Sequence, residues 1–486
     1  MNARLRPIHD VPPHEAGGYV LYWMTANRRP SHNHGLDRAV DWCRRLGKPL
    51  VVLEALRCDY PWASDRFHRF VIDGMEDNRR AFDRPGVTYH PYVEPSRGAG
   101  KGLLAALAKG AAVVVTDDFP AFFLPRMLER AGEQLAELGR RLEAVDGNGL
   151  YPMRASEGRI FTRAVDFRRH LQKTLAPHLT ELAQAEPLDD LAHLSRASLP
   201  AGVAKRWPAA KGLERGSKLL AGLPIDHTVA ATDERGGHEA AQIRLRAWLD
   251  DGFPRYADGR NHPDDDASSG LSPYLHFGHV SPQEILLALA EREGWTPADL
   301  SGSARGQKEG WWGMSAAAES FLDELVTWRE LGYNFCAHRD DYDQLSSLPG
   351  WALQTIAEHA DDERPVTYTL DQLRAAETHD PIWNAAQRQL RDSGRMHNYL
   401  RMLWGKLIYQ WSPDAADALA AMIELNNRYA LDGRNPNSYS GIFWVLGRYD
   451  RAWGPERPIF GKLRYMTSDS TRKKLHLGGY LERWGR

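Results

Sequence analysis

The feature that most constrains the fold of this chain is a change of hydrophobic periodicity between its first third and its second half. In the first third, short apolar runs rich in valine, leucine and aromatic residues alternate with helical stretches. The runs are YVLYWM (19–24), PLVVLEAL (49–56), VTYHPYV (87–93), AAVVVTDD (111–118) and RLEAVD (141–146), and the helical stretches lie near 33–46, 64–83, 101–109 and 125–139. Short buried runs that alternate with helices are typical of a parallel, doubly wound, Rossmann-like sheet. We therefore predict an α/β domain over residues 16–185.

The second half contains few strand signals and shows helical periodicity instead. Apolar residues recur three and four positions apart in seven stretches, which are 238–251, 281–292, 315–337, 351–359, 381–392, 396–411 and 414–430. Residues 186–235 are interrupted repeatedly by proline and glycine, as is typical of a connection between domains. A chain of 486 residues is also too long for one hydrophobic core. The expected fold is therefore α/β plus all-α, with a linker over 186–235 and a helical domain over 236–486.

Composition and cysteine usage argue against several classes of protein. Neither a signal-peptide core near the N-terminus nor a run of eighteen apolar residues occurs, so we expect a cytoplasmic protein. The cysteines Cys43, Cys58 and Cys336 are far apart, which argues against a disulfide framework and against a metal site. The first strand is not followed by G-x-G-x-x-G, and in SRGAGKGLL (96–104) Gly102 stands where a phosphate loop needs serine or threonine. A nicotinamide-dependent redox enzyme is therefore the least favoured class.

Positive charge is concentrated near the end of the chain. The net charge is −2, but residues 434–486 hold eleven Lys and Arg residues against four Asp and Glu residues. This segment therefore carries +7, and the remainder of the chain carries −9. Aromatic residues are interleaved with these cations, a composition that suits contacts to the phosphates and bases of a nucleic acid. A solvated basic surface explains the composition equally well.

The segment MHNYLRMLWGKLIYQW (396–411) is predicted to be one helix with two distinct stripes. Its apolar residues follow the helical period. Trp404 and Trp411 point almost the same way, with Cα atoms roughly 10 Å apart along the axis. Asn398 and Arg401 lie on a second, polar stripe. A core helix with one snorkelling arginine is the alternative interpretation.

The helix ESFLDELVTWREL (319–331) carries a carboxylate beside an indole. Glu324 and Trp328 are four residues apart and therefore lie next to each other on one face. Such a pair suits a pocket that reads a base edge, because the carboxylate accepts an imide N–H and the indole is a flat apolar wall. Alternatively, Glu324 reaches solvent or pairs with Arg329.

Three other segments combine turn or cap chemistry with polar groups. SSGLSPYLHFGHVSP (268–282) suits an anion such as a pyrophosphate, which Tyr256 and Arg260 could also reach, although on chemistry alone a helix cap is favoured. THDPIWNAAQ begins a helix, with Asp380 as its cap and Trp383 in its first turn. NNRYALDGRNPNSYSGIFW is compatible with plain turn chemistry followed by an aromatic run. Its polar residues and last aromatic residue are Asn426, Asp432 and Trp444.

These motifs occur together in the order found in the DNA photolyase and cryptochrome superfamily. They are LSPYLHFG, the pair of Glu324 and Trp328, THDPIWNAAQ, MHNYLRMLWGK, NPNSYSGIFW and GKLRYM. In detail the chain resembles the class II cyclobutane pyrimidine dimer photolyases, and the similarity covers essentially the whole chain. The resemblance implies an N-terminal α/β antenna domain and a helical C-terminal domain that binds FAD and DNA.

The resemblance also implies the cofactor, the partner and the reaction. FAD is held non-covalently in a U shape and used as fully reduced FADH⁻, from which light drives an electron to a flipped-out thymine dimer. The cyclobutane ring splits and the electron returns, so the cofactor carries the chemistry and the protein supplies position and electrostatics. A dimer flips more easily than normal bases because its stacking and pairing are already impaired. UV-damaged single- or double-stranded DNA, a monomeric state and an antenna chromophore, by analogy a deazaflavin, are expected.

Functional residues of the family have matching positions in this chain. Arg401 and Asp432 match an ion pair beside the isoalloxazine, and Asn426 matches the asparagine that faces its N5. Further cofactor contacts are implied for Tyr256, Ser268, Ser269, Gly270, Leu271, Ser272, Arg329 and Asn398. Contacts to the dimer are implied for Glu324, by a hydrogen bond, and for Trp328, Met402 and Trp444, as walls that grip it.

The same correspondence implies an electron relay and a DNA surface. Trp404, Trp383 and Trp411 match, in that order from flavin to surface, the tryptophan chain that re-reduces an oxidised flavin under light. Tyr368 lies where the family has a candidate extra donor. Arg464 matches a residue that enters the gap left in the duplex, and the other expected DNA contacts are Arg448, Lys462, Lys473 and Lys474. Three core tryptophans are the alternative interpretation of the relay.

Two other functions within the superfamily stay open. One is a cryptochrome-like flavin photoreceptor without repair activity, and the other is an enzyme that repairs (6-4) photoproducts. The complete set of dimer-pocket residues favours repair over signalling, and the class II motifs speak against the (6-4) substrate. We therefore predict a light-driven DNA repair lyase that acts on cyclobutane dimers.

Overall fold

The computed structural model describes residues 3–486, apart from the side chains of Arg215 and Ser217. Contacts between residues divide the chain into two compact units. The first unit contains 1–157, 175–245 and 271–292, and the second contains 158–174, 246–270 and 293–486. The units are interleaved in sequence, whereas the predicted domains are continuous, and residues 186–235 fall within the first unit. The predicted domain boundaries stay a prediction.

A six-stranded sheet forms the centre of the first unit. Its strands are β1 (Leu5–His9), β2 (Tyr19–Met24), β3 (Leu50–Leu56), β4 (Val87–Val93), β5 (Ala111–Asp117) and β6 (Leu142–Val145). Their order is β1-β6-β5-β2-β3-β4, and all neighbours are parallel except β1, which is antiparallel to β6. The predicted doubly wound α/β fold is confirmed. The edge strand β1 was not predicted, because LRPIH is a short run whose residues all keep some exposure.

The described residues contain twenty-one α-helices. Those that begin before residue 300 are α1 (His34–Leu46), α2 (Asp65–Ala81), α3 (Leu103–Lys109), α4 (Leu124–Glu137), α5 (Ala164–Thr174), α6 (Val203–Arg206), α7 (Gly216–Leu220), α8 (His238–Asp250), α9 (Tyr256–Gly259), α10 (Ser272–His276) and α11 (Pro282–Glu293). The others are α12 (Ala316–Leu322), α13 (Arg329–His338), α14 (Gly350–Glu358), α15 (Leu370–Ala375), α16 (Pro381–Ser393), α17 (Asn398–Trp411), α18 (Ala415–Tyr429), α19 (Pro436–Val445), α20 (Ser468–Lys474) and α21 (Gly478–Trp484). Short 3₁₀ turns lie at Ala176–Leu179, Pro187–Leu191, Leu213–Arg215, Phe253–Arg255, Pro263–Asp265, Pro297–Asp299 and Leu345–Ser347.

Two apolar layers bury both faces of the sheet. Successive strand residues point to opposite faces, so Leu21 packs in one layer with α3 and α4, and Val20 packs in the other with α1. The proline- and glycine-rich stretch 186–235 contributes to both layers. Trp207 joins the first layer and Leu191 joins the second. Part of the predicted connection is therefore core, because its few apolar residues cover the sheet.

Close helix packing organises the second unit around α17. This helix contacts α16, α18 and α19. A Cβ atom added to Gly405 would lie 2.5 Å from Val445 Cγ2 and 3.2 Å from Met422 Sδ. A larger side chain there would force the helices apart, so glycine at this position permits their close approach. α17 therefore carries its polar residues at the centre of a helical cluster.

Several helix ends follow the predicted cap chemistry and others do not. The Asp380 carboxylate accepts hydrogen bonds from the backbone N–H groups of Ile382 and Trp383, as predicted for the start of α16. By contrast α10 begins after Leu271 with no side-chain cap. Ser281 in the same segment directly precedes α11, where its hydroxyl accepts from the Gln283 N–H at 3.1 Å and its own N–H donates to Glu284 at 2.7 Å. The cap interpretation of 268–282 therefore holds for α11 and not for α10. α19 replaces the predicted turn and aromatic run, because Asn435 caps a helix there.

All three cysteines are buried free thiols. Burial raises the pKa of Cys58 to about 11 and raises those of Cys43 and Cys336 as well. Among residues 3–486, no helix has the length and apolar character needed to cross a membrane.

Candidate active site

The helical stretch 321–336 is buried except at two residues. Every residue from Phe321 to Cys336 is buried except Glu324 and Trp328. Both lie in the π-helical segment Asp323–Trp328, which joins α12 to α13. π-Turns inside α-helices are frequent at functional sites. The predicted carboxylate and indole therefore keep partial exposure while the other side chains of this stretch pack in the core.

Glu324 forms an ion pair with Arg260 rather than with Arg329. The Arg260 Nη1 atom lies 2.8 Å from Glu324 Oε1. Arg329 is 5% exposed, and its Nη2 atom donates to the Tyr333 hydroxyl at 3.1 Å. The alternative that Glu324 pairs with Arg329 is therefore wrong, because the arginine side chain runs along its own helix to Tyr333. We refer to the ion pair of Glu324 and Arg260, together with Trp328 four residues further along the same helical stretch, as the Glu324 cluster.

Aromatic packing positions the arginine of the Glu324 cluster. Arg260 directly follows α9, and its guanidinium lies 5.7 Å from the centre of the Tyr256 ring. The Tyr256 ring lies 5.4 Å from the Phe321 ring, which in turn lies 4.4 Å from Trp248. Sequence alone placed Tyr256 and Arg260 near a bound anion. The structure instead places Arg260 on a carboxylate of the chain itself.

Burial and charge act in opposite directions on Glu324. Burial raises the pKa of its carboxyl and the neighbouring Arg260 lowers it, so that the pKa stays above its usual value. The side chains of Glu324 and Arg260 nevertheless keep 30% and 25% exposure. A group that is desolvated by protein and still reached by water can exchange its present partner for a ligand. This carboxyl can therefore exchange its hydrogen-bond partner.

The polar stripe of α17 forms a second group of polar contacts. The Arg401 side chain donates to Asp432 Oδ1 at 3.2 Å and to Asn426 Oδ1 at 3.3 Å. The geometry contains the ion pair that the sequence comparison implies, with Asn426 beside it. Arg401 and Asp432 keep 21% and 17% side-chain exposure, whereas Asn426 is buried. Asn398 lies at the first residue of α17 and is exposed.

Two cations, Arg464 and Lys406, lie near Trp444, which is half-buried on the otherwise largely buried α19. The Arg464 guanidinium lies 5.1 Å from the Trp444 ring and 4.1 Å from the Trp453 ring. Arg464 also donates to Asp450 at 3.0 Å. Met402, the other implied wall residue, is half-buried on α17. Arg464 is thus held by a carboxylate and two indoles.

Lys406 is a residue of this region that the sequence analysis missed. It is fully buried, its Nζ atom donates to the Val445 carbonyl at 2.6 Å, and it lies 5.4 Å from the Trp444 ring. Burial lowers its pKa to about 7, Asp450 opposes this shift and Arg464 adds to it. The sequence contained one signal for a buried lysine, because Lys406 lies one helical turn from Leu403 on the apolar stripe of this helix. The amine ties α17 to the backbone next to Trp444.

The three implied relay residues form a continuous buried group, which we call the tryptophan row. The Trp383 Nε1–H donates to the Trp404 carbonyl at 3.0 Å, and the Trp383 and Trp411 rings lie 5.6 Å apart. Trp404, Trp383 and Trp411 are 2%, 0% and 3% exposed. Trp411, the outermost of the three in the implied order, does not itself reach the surface, because Tyr368 and His379 pack against its ring.

The predicted DNA-contact residues occupy two different environments. Lys473 and Lys474 are exposed on α20, and the half-buried Lys462 forms an ion pair with Glu456 at 3.0 Å. Arg448 is only 2% exposed, and its guanidinium donates to the Tyr342 carbonyl at 2.8 Å. Burial also lowers the pKa of Arg448 to about 10. This placement argues against a phosphate contact by Arg448, whose charge is used inside the protein.

The segment implied to contact the flavin phosphates, 268–272, contains a boundary between the two units in sequence. Ser268, Ser269 and Gly270 belong to the second unit, and Leu271 and Ser272 begin a segment of the first. Gly270 has φ +67°, a left-handed conformation that glycine adopts without strain. The backbone conformation at this position therefore explains why the residue is glycine.

Similarity to known proteins decides the family. No family model matches the chain. The chain is 32% identical to the deoxyribodipyrimidine photo-lyase of Methanothermobacter thermautotrophicus, with 99% of this chain and 97% of the relative covered. It belongs to the deoxyribodipyrimidine photo-lyase family. The photo-lyase of Arabidopsis thaliana is 30% identical, with 97% of this chain and 89% of the relative covered.

A mammalian relative and a solved structure agree with this assignment. The deoxyribodipyrimidine photo-lyase of Potorous tridactylus is 29% identical over 95% of this chain and 80% of its own length. A class III photolyase from Agrobacterium tumefaciens matches with a TM-score of 0.69 over 96% of this chain and 86% of its own, and at 19% identity it supports the fold. The chain is thus a photolyase of the light-dependent DNA repair family, which implies a flavin cofactor and UV-damaged DNA.

Arg401 and its two partners, Asn426 and Asp432, fit the flavin that a photolyase requires. A guanidinium held between a carboxylate and an amide supplies positive charge and both donors and acceptors, which suits an isoalloxazine in an anionic form. Nearby, the Gln387 side chain accepts from Trp404 Nε1, while its own buried Nε2 has no hydrogen-bond partner among the described residues. A buried donor without a partner costs about 1–3 kcal/mol, which a bound ligand can offset.

Proposed function

We propose that this photolyase is a class II enzyme that splits cyclobutane pyrimidine dimers under light. The observation that carries the proposal is Glu324, a partly exposed carboxyl with a raised pKa beside Trp328 on an otherwise buried helix. In its ionised form the carboxyl accepts a hydrogen bond from an imide N–H, and in its neutral form it donates to a pyrimidine carbonyl. Either interaction with the Watson–Crick edge requires a base that has left the duplex.

FAD is proposed to bind beside Arg401, with the side chains of Asn426 and Asp432 completing that group. When bound, FAD in its fully reduced anionic form supplies the electron that light transfers to the dimer. The Arg401 charge favours an anionic neighbour, and Asp432 fixes the orientation of the guanidinium through the 3.2 Å ion pair. Further proposed contacts to the cofactor are Tyr256, Ser268, Ser269, Gly270, Leu271, Ser272, Arg329 and Asn398.

The dimer is proposed to be held between apolar walls formed by Trp328, Met402 and Trp444. All three residues keep partial exposure on helices whose neighbouring residues are mostly buried. Indoles offer large flat surfaces at a low cost in conformational entropy, which suits a flipped pair of joined pyrimidines. Arg464 is proposed to fill the gap that the dimer leaves in the duplex. Its contacts with Trp444 and Asp450 position the guanidinium next to the Trp444 wall of the proposed dimer site.

The tryptophan row is proposed to re-reduce an oxidised flavin under light. All three indoles are buried, those of Trp383 and Trp404 are held by hydrogen bonds, and that of Trp411 packs against the Trp383 ring, so the distances between them are fixed in a buried region. The order from the flavin outward is proposed to be Trp404, Trp383 and Trp411. Trp404 leads this order because it lies three residues from Arg401 on α17.

Three further properties belong to the same proposal. We propose a monomer in the cytoplasm, in keeping with the absence of paired cysteines in the sequence. A deazaflavin is proposed as the antenna chromophore by analogy with the family alone. Size-exclusion chromatography tests the monomeric state, and the absorption spectrum of the purified protein tests the antenna chromophore.

The central experiment combines a spectrum with a repair assay. The purified protein is first checked for bound flavin, then reduced and illuminated with oligonucleotides that contain either a cyclobutane dimer or a (6-4) photoproduct. The proposal predicts repair of the cyclobutane dimer only, and none in the dark. Bound flavin without any repair would favour a photoreceptor, and repair of the (6-4) product alone would contradict the proposed substrate.

A further inference from the structure

Two indoles of the tryptophan row donate their N–H groups to amide oxygens. The Trp404 Nε1–H donates to Oε1 of Gln387 at 2.9 Å, and the Trp383 Nε1–H donates to the backbone carbonyl of Trp404 at 3.0 Å. Trp383 and Gln387 are both 0% exposed and lie one helical turn apart on α16. Neither acceptor is a base, because an amide oxygen accepts a hydrogen bond without taking up the proton near neutral pH.

The orientation of the Gln387 amide follows from its partner. An indole N–H can only donate, so the amide must present its oxygen to Trp404. A flipped amide would place two donors against each other. Nε2 of Gln387 is buried and has no hydrogen-bond partner among residues 3–486. The bond to Trp404 is therefore the polar contact that orients this side chain.

The two helices that carry the row offer few groups that could take up a proton. The buried residues of α16 include no ionisable side chain. On α17 the buried ionisable residues are Lys406 and Tyr409, and both side chains donate to backbone carbonyls of other segments. The side chain that contacts the Trp404 N–H is thus a neutral amide at a position where glutamate would have nearly the same shape.

We propose that Gln387 is a positioning residue that keeps an oxidised Trp404 in its protonated form, an inference that rests on the proposed function of the tryptophan row. Loss of one electron converts the Trp404 indole into a radical cation, whose N–H is strongly acidic. One electron then moves from Trp383 to Trp404, and no bond forms or breaks. Because the Gln387 oxygen holds the N–H without accepting its proton, Trp404 is an intact neutral indole again after this step.

A base in place of the amide would change this step. The Nε1–H bond of the radical cation would break, the proton would form a new bond to the base, and a neutral Trp404 radical would remain. A neutral indole radical that takes up an electron without a proton becomes an anion, which is unfavourable on a ring that is 2% exposed. The electron from Trp383 would then have to wait for the proton to return. An amide at position 387 therefore favours fast electron transfer along the row.

The test replaces the amide by two different bases in the full-length protein with oxidised flavin bound. Gln387→Glu places a carboxyl group beside Trp404, and Gln387→His places an imidazole there. Burial favours the neutral form of each group, and a neutral imidazole is still a base, so the histidine variant stays informative if the carboxyl is protonated. Transient absorption after a light pulse distinguishes the tryptophan radical cation from the neutral radical.

Wild type and the base variants are expected to differ in the radical that they form. In wild type, the radical cation should leave Trp404 at a rate that is the same in H₂O and D₂O. At least one base variant should instead form a neutral Trp404 radical, at a rate that falls in D₂O. Its yield of photoreduced flavin should fall about 10-fold or more, because the proton must return before the electron moves on.

Two controls separate basicity from packing. Gln387→Met removes the acceptor without adding a base, so the radical cation should persist and photoreduction should stay within about 3-fold of wild type. Gln389→Glu makes the same exchange two residues away on α16, where Oε1 accepts from the Tyr480 hydroxyl at 2.8 Å and from the His397 N–H at 3.1 Å. This variant should match wild type. The flavin spectrum and the thermal unfolding midpoint verify that each variant is folded.

The outcomes separate this inference from the proposed function. Wild-type transfer of the radical cation in both base variants, or an equal loss of photoreduction in Gln387→Met, would overturn the role of the amide and leave the tryptophan row intact. The absence of every tryptophan radical in wild type would overturn the proposed relay, and this inference with it. A neutral radical in a base variant together with a radical cation in Gln387→Met supports the inference.

Discussion

The tryptophan row and the Glu324 cluster lie in the same helical unit and are built in opposite ways. The row consists of neutral rings that are at most 3% exposed, two of which donate hydrogen bonds to a backbone carbonyl and to an amide. The cluster consists of an ion pair whose side chains keep 25% and 30% exposure, and of a half-buried indole four residues further along the helical stretch. The difference matches the two tasks that we propose for these groups. Electron transfer needs fixed distances in a dry interior, whereas a substrate site must exchange its present partner for a ligand.

The first and largest test of this comparison is Trp383→Phe. Because this residue contacts both Trp404 and Trp411, its loss should abolish photoreduction of oxidised flavin, while enzyme that is reduced chemically still repairs dimers. The flavin absorbance under illumination measures the first effect and a repair assay the second. Trp295→Phe is the matched control, since Trp295 is also buried and also donates Nε1–H to a carbonyl. Photoreduction that survives in Trp383→Phe would remove the row from the mechanism.

The second test is Glu324→Ala in the Glu324 cluster. Loss of a hydrogen bond from a charged group costs about 1.5–3 kcal/mol, so the repair yield should fall roughly 10- to 100-fold while the flavin stays bound. Repair per photon and the flavin spectrum are measured together. The exposed residue Glu309 provides the control Glu309→Ala, which should repair normally. Unchanged repair in Glu324→Ala would show that the partly exposed carboxyl has no part in substrate binding.

The third test concerns Lys406, which is buried like the tryptophan row and ionisable like the Glu324 cluster. Its pKa of about 7 in the folded protein is below the usual value of 10.5, so between these values the unfolded chain binds one more proton. Stability should therefore rise with pH relative to Lys406→Met, by about 1.4 kcal/mol per pH unit. Unfolding of both proteins at pH 7, 8 and 9 measures this change, which amounts to about 2–3 kcal/mol.

The control for this test is Lys109→Met at the exposed end of α3. That substitution should give no comparable pH-dependent difference. If Lys406→Met differs from wild type by the same amount at every pH, Lys406 keeps its proton in the folded protein. Its role beside Trp444 would then be that of a buried cation.

The fourth and smallest effect is expected at the exposed end of the comparison, from Lys473→Ala with Lys474→Ala. Each lost phosphate contact should reduce the slope of log K against log salt by about 0.9, equally for damaged and undamaged duplexes. Fluorescence anisotropy at several salt concentrations measures it. The exposed Lys101 and Lys109 provide a control pair. A loss of affinity confined to damaged DNA would contradict a role in plain phosphate binding.

Much of the fold could be predicted because strong local patterns determined it. The five parallel strands were found within two residues of their observed ends, since each is a short apolar run between helical stretches. The edge strand β1 and the cap-initiated helix α19 were missed. Strand β1 has no apolar pattern of its own and exists through its pairing with β6. At α19, the signal of Asn435 before Pro436 was present and was interpreted as a turn.

The candidate site could be predicted as a set of residues but not as a set of contacts. Periodicity placed Glu324 beside Trp328, and the ion pair of Arg401 with Asp432 is present in the structure. The partner of Glu324, however, is 64 positions away in sequence and could not be found from helix spacing. Likewise a basic composition does not distinguish an exposed lysine such as Lys473 from the buried Arg448.

The sequence by itself determined the order of strands and helices, the starts of many helices and the residue types of the site. These follow from interactions within a few residues, such as apolar periodicity and the hydrogen bonds of Asp380 at the start of α16. Only the tertiary structure decided that Arg260 meets Glu324, that Arg448 and Lys406 are buried, and that the tryptophan row ends against Tyr368 and His379. Burial and ion pairing depend on which distant segments pack together, and a local pattern contains no information about that.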